Sequence, residues 1–162
     1  MKILKIRNVR TPERGTRLAA GIDFFVPNAP DFMSKDAETG EIKYNGSQLV
    51  LVPGESALIP SGIKVSVPEG YALVAFNKSG VCTKKSLVVG AEVVDEDYTG
   101  EVHMHVINAG IYSATINAGD KLIQFMLIKQ NYLEVEVMES EEELYLDKKS
   151  ERGDGGFGST GN

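Results

Sequence analysis

The stretch QLVLVPGESALIPSGIKVSVPEGYALVAF, residues 48–76, decides the predicted fold. Its short apolar runs are rich in β-branched residues and are separated by turn-forming residues, a pattern typical of strands joined by tight turns. Because such turn signals recur roughly every ten residues, the stretch favours a β-sandwich or barrel over a helical fold. The turn signals are Pro53-Gly54, Pro60-Ser61-Gly62 and Pro68-Glu69-Gly70, and the strands are predicted at 48–52, 56–59, 63–67 and 71–76.

The same pattern continues on both sides of this stretch. Further strands are predicted at 21–26, 88–94, 101–107, 121–129 and 132–137, with residues 1–7 as an edge strand. The one predicted helix is the acidic run 139–146.

Two polar segments interrupt the apolar pattern and set the predicted domain organisation. Residues 28–47 are rich in turn formers, so they predict a long loop or small hairpin inserted between two strands. Residues 139–150 are highly charged and predict a tether. We therefore expect an all-β barrel domain over 1–138, with the inserted loop 28–47, followed by an acidic tether and arm over 139–162.

Composition narrows the class of protein. A chain of 162 residues with 42% hydrophobic content is long enough for one domain with a substantial core. No apolar run is long enough to span a membrane, and the charged N-terminal run is unlike a signal peptide. The single cysteine, Cys82, cannot form an intrachain disulfide, which predicts a reducing, cytoplasmic location. The net charge of -6 argues against nonspecific nucleic-acid binding.

The glycine-rich segment RGDGGFGSTG, residues 152–161, cannot form a stable helix or a central strand. Its other side chains suit ligand binding, because Phe157 can stack on a flat ring and Arg152 can form a bidentate contact with a phosphate. Bare glycine amides can also line a nest for anionic oxygens. The segment predicts a flexible arm that orders over a ligand carrying a base and phosphates. A disordered tail without function is the alternative.

Two internal clusters carry residues capable of chemistry. Asp95 and Asp97 would face the same way on an extended strand, where a carboxylate could activate a water or hold a metal. A solvated hairpin tip is the alternative for this acidic run. His103 and His105 have a spacing that can bind zinc, but a zinc site needs three or four protein ligands. Core or interface packing is therefore the alternative for the two imidazoles.

Two weaker signals concern a phosphate and a buried amide. Lys78, Ser79 and the Gly80 amide could bind a phosphate at the end of a strand. Gln124 lies within an apolar strand, so it needs a hydrogen-bonding partner if it is buried.

Taken in order, these segments resemble the five motifs of the trimeric dUTPase family. The resemblance covers nearly the whole chain, and five motifs in family order are far more specific than one. It implies a distorted jelly-roll barrel that forms a homotrimer with shared active sites. It also implies hydrolysis of dUTP to dUMP and pyrophosphate with Mg²⁺. The matching segments are AGIDF at 20–24, NKSG at 77–80, VVDEDYTG at 93–100, GDKLIQ at 119–124 and RGDGGFGSTG at 152–161.

The resemblance also implies a role for individual residues. Asp95 would orient or deprotonate the water that attacks the α-phosphorus, and Tyr98 would lie against the deoxyribose and leave no room for a 2′-hydroxyl. The hairpin that carries Val89, Gly90 and Val93 would read the uracil edge through its backbone. Mg²⁺ would bind mainly through the substrate phosphates and water rather than directly to the protein. The remaining implied residues are Lys78, Ser79, Gly80 and Gln124 at the phosphates, Phe157 over the uracil, Arg152, Gly158, Ser159 and Thr160 at the terminal phosphate, and Asp23 and Asp97 in support.

The chain departs from the family pattern in three places. The second motif usually begins with Pro-Arg, whereas this chain has Asn77-Lys78, which keeps the charge and loses the bidentate fork. Glu92 stands where a small residue is usual, so we expect its side chain to point outward. The 28–47 insertion is longer than usual, and it is a candidate docking segment for a protein partner.

Two other functions compete with dUTP hydrolysis. The dCTP deaminases share the fold and carry a catalytic glutamate where this chain has His105, so the acidic third motif favours a dUTPase. A regulatory binding protein on the same scaffold is the second alternative, because a fold does not guarantee activity.

Overall fold

Strands dominate the part of the chain that the structure describes. The computed structural model describes residues 1–28, the backbone of 33–35 and 42–44, and residues 48–155. The chain divides into two compact units, residues 1–131 and residues 132–162. The elements are β1 (Lys2–Lys5), β2 (Ile22–Phe25), β3 (Met33–Lys35), β4 (Ile42–Tyr44), β5 (Gln48–Leu51), β6 (Ser56–Ser66), β7 (Tyr71–Asn77), α1 (Ser79–Lys85), β8 (Leu87–Val89), β9 (Val93–Val94), β10 (Glu101–Asn108), β11 (Ala114–Asn117), β12 (Lys121–Lys129) and α2 (Glu141–Leu144).

Antiparallel sheets build the first unit. One sheet has the strand order β1-β6-β10-β8 and the other β2-β12-β7-β9, while β5 pairs with β11 and β3 with β4. The strands alternate as expected for sheets with one buried face, since Met104 of β10 is fully buried between the more exposed His103 and His105. Phe24 and Phe125 meet inside the barrel with ring centroids 4.5 Å apart. The predicted all-β, jelly-roll type of fold is confirmed.

The predicted edge strand and insertion take definite places in this topology. β1 lies at the edge of its sheet and pairs only with β6 among the described strands, which confirms the edge strand. Within the 28–47 insertion, β3 and β4 pair antiparallel with Met33 opposite Tyr44, as the small-hairpin alternative predicted. No helix in the described ranges is long and apolar enough to cross a bilayer.

The predicted turn at Pro60-Ser61-Gly62 is wrong, because β6 runs through it as one strand of 11 residues. Instead, β6 is irregular at this point, with a β-bulge in its pairing with β10. β10 pairs Glu101 with Lys64 and His103 with Pro60, so the register shifts across residues 61–63, which lie between these two pairs. Gly62 has a φ of 72°, a left-handed conformation that glycine adopts without strain. A Pro-Ser-Gly sequence can therefore indicate either a turn or an irregularity within a strand.

Two short elements were absent from the prediction and one predicted strand divides. α1 was not predicted, because its seven residues offer the core only a partly buried Val81 and show no apolar periodicity. It ends at Ser86, whose φ of 53° is left-handed and whose amide donates to the carbonyl of Cys82. β11 was likewise missed, and the predicted strand 88–94 divides into β8 and β9, which belong to different sheets.

The second unit contains one predicted element and lacks another. α2 lies within the predicted helix, and the Ser140 hydroxyl caps it by accepting from the Glu143 amide. The predicted strand at 132–137 is wrong, because this segment has no partner strand among the described residues and its apolar side chains lie exposed. Alternating apolar residues do not form a strand without a ladder of backbone hydrogen bonds. The predicted domain boundary after residue 138 stays a prediction.

Candidate active site

A cavity of about 180 Å³ lies where β9 ends and β10 begins. Val93 of β9, Asp95 and Tyr98 line it together with the first residues of β10. Val93, Asp95 and Tyr98 are all exposed to solvent, with Val93 63% and Tyr98 43% exposed. The structure therefore brings together the predicted catalytic carboxylate, the predicted sugar-contacting ring and one residue of the predicted base-reading hairpin. Glu92, whose side chain was expected to point outward, is exposed and lines this cavity.

The acidic run forms a turn, not the extended strand on which Asp95 and Asp97 would share a face. The Tyr98 amide donates to the carbonyl of Asp95 at 3.3 Å, which closes the turn. Asp97 consequently lines a different cavity, of about 380 Å³, beside β1 and β6. The expectation of a shared face is wrong because the chain reverses between the two carboxylates. Glu96, which sequence reasoning passed over, anchors the turn by accepting from the Gly70 amide at 2.7 Å.

The Tyr98 ring is held at its hydroxyl end by two contacts. Its hydroxyl donates to the Glu101 carbonyl at 2.9 Å. A Cβ on Gly100 would lie 2.2 Å from that hydroxyl, so the ring lies directly against the glycine. This rigidity suits a side chain that sets the shape of a pocket wall.

Behind Tyr98, a partly buried ion pair holds the start of β10. Arg7 donates to both carboxylate oxygens of Glu101, at 2.8 and 3.0 Å, and the Gly62 amide donates to the same carboxylate at 2.7 Å. Burial alone would raise the pKa of Glu101, but the Arg7 and Gly62 hydrogen bonds and the Arg7 charge together lower it. Glu101 is thus ionised at neutral pH and ties β10 to the β6 bulge. Sequence reasoning missed this pair, since its members lie 94 residues apart.

The residues of the first, second and fourth motifs meet at one end of the β2-β12-β7 sheet. Asp23 and Gln124 are direct register partners in β2 and β12. The buried Asp23 carboxylate forms ion pairs with Lys78, and with Lys121 at 3.4 Å. Gln124 is half-buried, and its side-chain amide donates to the main-chain carbonyl of Asn77 at 2.8 Å. Ser79 and Gly80 follow Lys78 as the first residues of α1.

Gly21 allows this arrangement by its small size. A Cβ at that position would lie 2.4 Å from Oε1 of Gln124. The glycine of the first motif is therefore required by the close approach of the Gln124 side chain.

The two histidines are both engaged in hydrogen bonds to backbone groups. His103 Nδ1 lies 2.9 Å from the carbonyl of Glu101, and His105 Nδ1 accepts from the Ala91 amide at 2.9 Å. Among the described residues, no group of three or more His, Cys, Asp or Glu side chains is placed to hold a metal ion. A zinc site on these imidazoles therefore lacks the required ligand set within that part of the chain.

The predicted arm falls partly outside the described residues. Arg152 lies in the second unit, where its guanidinium donates to the Gly155 carbonyl. Phe157, Gly158, Ser159 and Thr160 lie outside the described residues.

Comparison with known proteins identifies the family. A family model described as dUTPase matches residues 44–161. A deoxyuridine 5'-triphosphate nucleotidohydrolase of Finegoldia magna is 38% identical over 120 residues, which cover 73% of this chain and 80% of the relative. The chain belongs to the dUTPase family.

Solved structures agree with this assignment. A Staphylococcus bacteriophage 80alpha dUTPase with dUPNHPP matches with a TM-score of 0.75 and 25% identity, covering 99% of this chain and 98% of that one. A mutant dUTPase from phage phi11 of S. aureus, whose description concerns coordination of a structural Mg(II) ion, matches with a TM-score of 0.68 and 25% identity. It covers 87% of this chain and 97% of that chain.

Proposed function

We propose that this protein is a dUTP diphosphatase that hydrolyses dUTP to dUMP and pyrophosphate. Such a reaction lowers the dUTP pool and supplies dUMP for thymidylate synthesis. The observation that carries the proposal is the meeting of Val93, Asp95 and Tyr98 around one cavity in a chain of the dUTPase family.

Asp95 acts as the general base toward the attacking water. Asp95 is exposed at the cavity, so it is accessible to water, and it lies in the turn that Glu96 anchors. A positioned general base contributes about 10²- to 10⁴-fold to the rate. Attack on the α-phosphorus breaks the bond to the bridging oxygen, and pyrophosphate leaves.

Tyr98 and the 89–93 loop select the nucleoside. The Tyr98 ring, held against Gly100, forms a wall against the deoxyribose and excludes a 2′-hydroxyl. The backbone around Val89, Gly90 and Val93 reads the edge of the uracil through groups other than the Val89 and Gly90 amides, which are bound within the chain. A buried polar edge of this kind discriminates strongly, because a wrong base leaves polar groups unpaired.

The phosphates lie toward Lys78, Ser79, Gly80 and Gln124. Lys78 supplies positive charge there, balanced in the free protein by the buried Asp23. Arg152 with the glycine-rich arm, including Phe157, Gly158, Ser159 and Thr160, closes over the nucleotide and holds its terminal phosphate. Asp23 supports the site through its ion pair with Lys78, and Asp97 supports it only indirectly, from the neighbouring cavity beside β1 and β6.

Mg²⁺ fits this site as an ion held by the substrate. The described residues offer no cluster of three protein ligands, whereas the phosphate oxygens and water are the ligands that Mg²⁺ prefers. When bound, the ion neutralises charge on the phosphates.

A homotrimer with shared active sites is part of the proposal. Large apolar side chains remain exposed on the first unit, including Leu4 at 60% and Leu58 at 56%. Exposed apolar surface of this kind is typical of protein contact sites. Light scattering on a sizing column tests the trimer, and a monomer mass at working concentration contradicts it.

A cytoplasmic location and a protein partner for the 28–47 insertion are further proposals. Cys82 supports the cytoplasmic location, since it is half-buried and its thiol forms no disulfide. The β3–β4 hairpin supports the second by giving the insertion a defined backbone. Imaging of a tagged chain tests the location. A pull-down that is unchanged on deletion of residues 28–47 removes the insertion as a docking segment.

The proposed activity is tested by measuring pyrophosphate release from dUTP, dCTP, dTTP and UTP, each with Mg²⁺ and with EDTA. We expect release from dUTP alone, and none in EDTA. Equal release from UTP contradicts the role of Tyr98, and ammonia release from dCTP establishes a deaminase instead. No release from any nucleotide favours a binding protein.

A further inference from the structure

Three successive amides, at the last residue of β8 and the first two residues of the loop that follows it, are all bound within the chain. The Val89 amide donates to Oδ1 of Asn77 at 2.8 Å. The Gly90 amide donates to the carbonyl of His105 at 3.0 Å, and the Ala91 amide donates to its Nδ1 at 2.9 Å. One side chain from β7 and one from β10, together with the His105 main-chain carbonyl, thus hold residues 89–91.

The His105 imidazole has a defined protonation pattern in this arrangement. Nδ1 accepts the Ala91 N–H, so the neutral ring carries its proton on Nε2. The ring also lies against the backbone of Gly90, where a Cβ would be 2.2 Å from Nδ1. Gly90 is not among the described residues with a positive φ, so its lack of a side chain is required by the ring and not by the backbone conformation.

Asn77 is itself fixed on its other side. Its main-chain carbonyl accepts from the Gln124 side chain at 2.8 Å, while its side-chain Oδ1 accepts from the Val89 amide. The residue therefore links β12 to the loop. A proline, which the dUTPase motif usually has at this position, offers no side-chain acceptor.

We propose that Asn77 and His105 are positioning residues that set the backbone of residues 89–91 for recognition of the nucleobase. This inference rests on the proposed function, in which that loop reads the uracil edge. Backbone groups that discriminate between bases must hold their geometry to within about 0.5 Å, and side chains that capture the neighbouring amides provide that rigidity. Because both residues act through the loop, their loss weakens selection of the base and leaves the attack on phosphorus nearly intact.

The test compares His105→Leu, which removes the acceptor, with His105→Asn, whose Oδ1 can occupy the place of Nδ1. Steady-state kcat and KM are measured for dUTP and dCTP with Mg²⁺. One lost hydrogen bond corresponds to about fivefold in affinity, so KM for dUTP should rise roughly fivefold or more in His105→Leu. The preference for dUTP over dCTP should fall, kcat should stay within about twofold, and His105→Asn should restore both quantities.

A second pair of variants keeps the test valid if His105→Leu folds poorly. Asn77→Leu removes the other acceptor at an exposed position, whereas Asn77→Asp retains one. We expect Asn77→Leu to raise KM for dUTP and weaken the preference for dUTP over dCTP, and Asn77→Asp to retain both. Amide exchange of Val89 should accelerate in Asn77→Leu and stay slow in Asn77→Asp.

Each outcome decides the proposal. Folded His105→Leu and Asn77→Leu variants with unchanged KM and base preference overturn it. So does a His105→Asn variant as impaired as His105→Leu, because the acceptor is then not what matters. A wild-type protein that does not turn over dUTP removes the proposed function and the recognition role with it. That failure is distinguished from the others by the inactive wild type.

Discussion

The substitution Glu101→Gln tests whether the ion pair behind Tyr98 stabilises the fold. It keeps the shape of the side chain and removes the charge that receives two Arg7 hydrogen bonds and one from Gly62. Hydrogen bonds to a charged group contribute about 1.5–3 kcal/mol, but glutamine retains weaker versions of some of them. With the Glu101 side chain only 12% exposed, we expect a loss of about 1–2 kcal/mol at pH 7.

The sign of the pH dependence follows from the lowered pKa of Glu101. A carboxyl group whose pKa is lower in the folded state stabilises the fold above its unfolded pKa of about 4.3. That contribution is lost as the pH falls through the folded value. The difference in stability between wild type and Glu101→Gln should therefore be full at pH 7 and shrink at acid pH.

Thermal unfolding at fixed protomer concentration measures this difference. A loss of 1–2 kcal/mol corresponds to a decrease in Tm of about 2–8 °C for a domain of this size. Glu13→Gln is the matched control, because Glu13 pairs with Arg10 in an ion pair whose side chains are 59% and 42% exposed. Such a surface pair contributes about 0–1 kcal/mol. An effect of Glu101→Gln no larger than that control, or one that persists undiminished at acid pH, refutes the reasoning.

Three further predictions concern the site. Tyr98→Phe removes the hydroxyl bond to Glu101, worth about 1 kcal/mol, so UTP turnover relative to dUTP should rise about fivefold in steady-state assays; an unchanged ratio contradicts the role of the ring's anchor. Gly21→Ala should displace Gln124 and cost about 1–3 kcal/mol in denaturant unfolding, and a wild-type midpoint argues against the close contact. Deletion of residues 152–162 should leave a folded trimer with poor dUTP turnover, and full activity shows that the arm is only a tail.

Much of the fold follows from local sequence signals. β12 and the ends of β7 and β10 were predicted almost to the residue, since these strands have apolar runs or alternating apolar residues bounded by turn formers. The failures also have local causes. Pro60-Ser61-Gly62 has turn composition, but pairing with β10 on one side holds it inside a strand. The 132–137 segment has strand composition and no partner strand among the described residues.

In the candidate site too, some residues were predicted from the sequence and others were not. Sequence spacing and the resemblance selected Asp95, Tyr98 and Val93, and the fold places them around one cavity. The supporting roles of Glu96, Glu101 and His105 were not predicted, because each acts through a partner distant in sequence. Supporting contacts of this kind depend on tertiary structure, so no local pattern reports them.

The central claim is most directly tested by dUTP turnover of wild type and Asp95→Asn with Mg²⁺, together with binding of dUMP to each. We predict that Asp95→Asn folds and binds dUMP as wild type does, while its kcat falls by roughly 10²-fold or more. An Asp95→Asn protein with near-normal kcat contradicts the assignment of the general base.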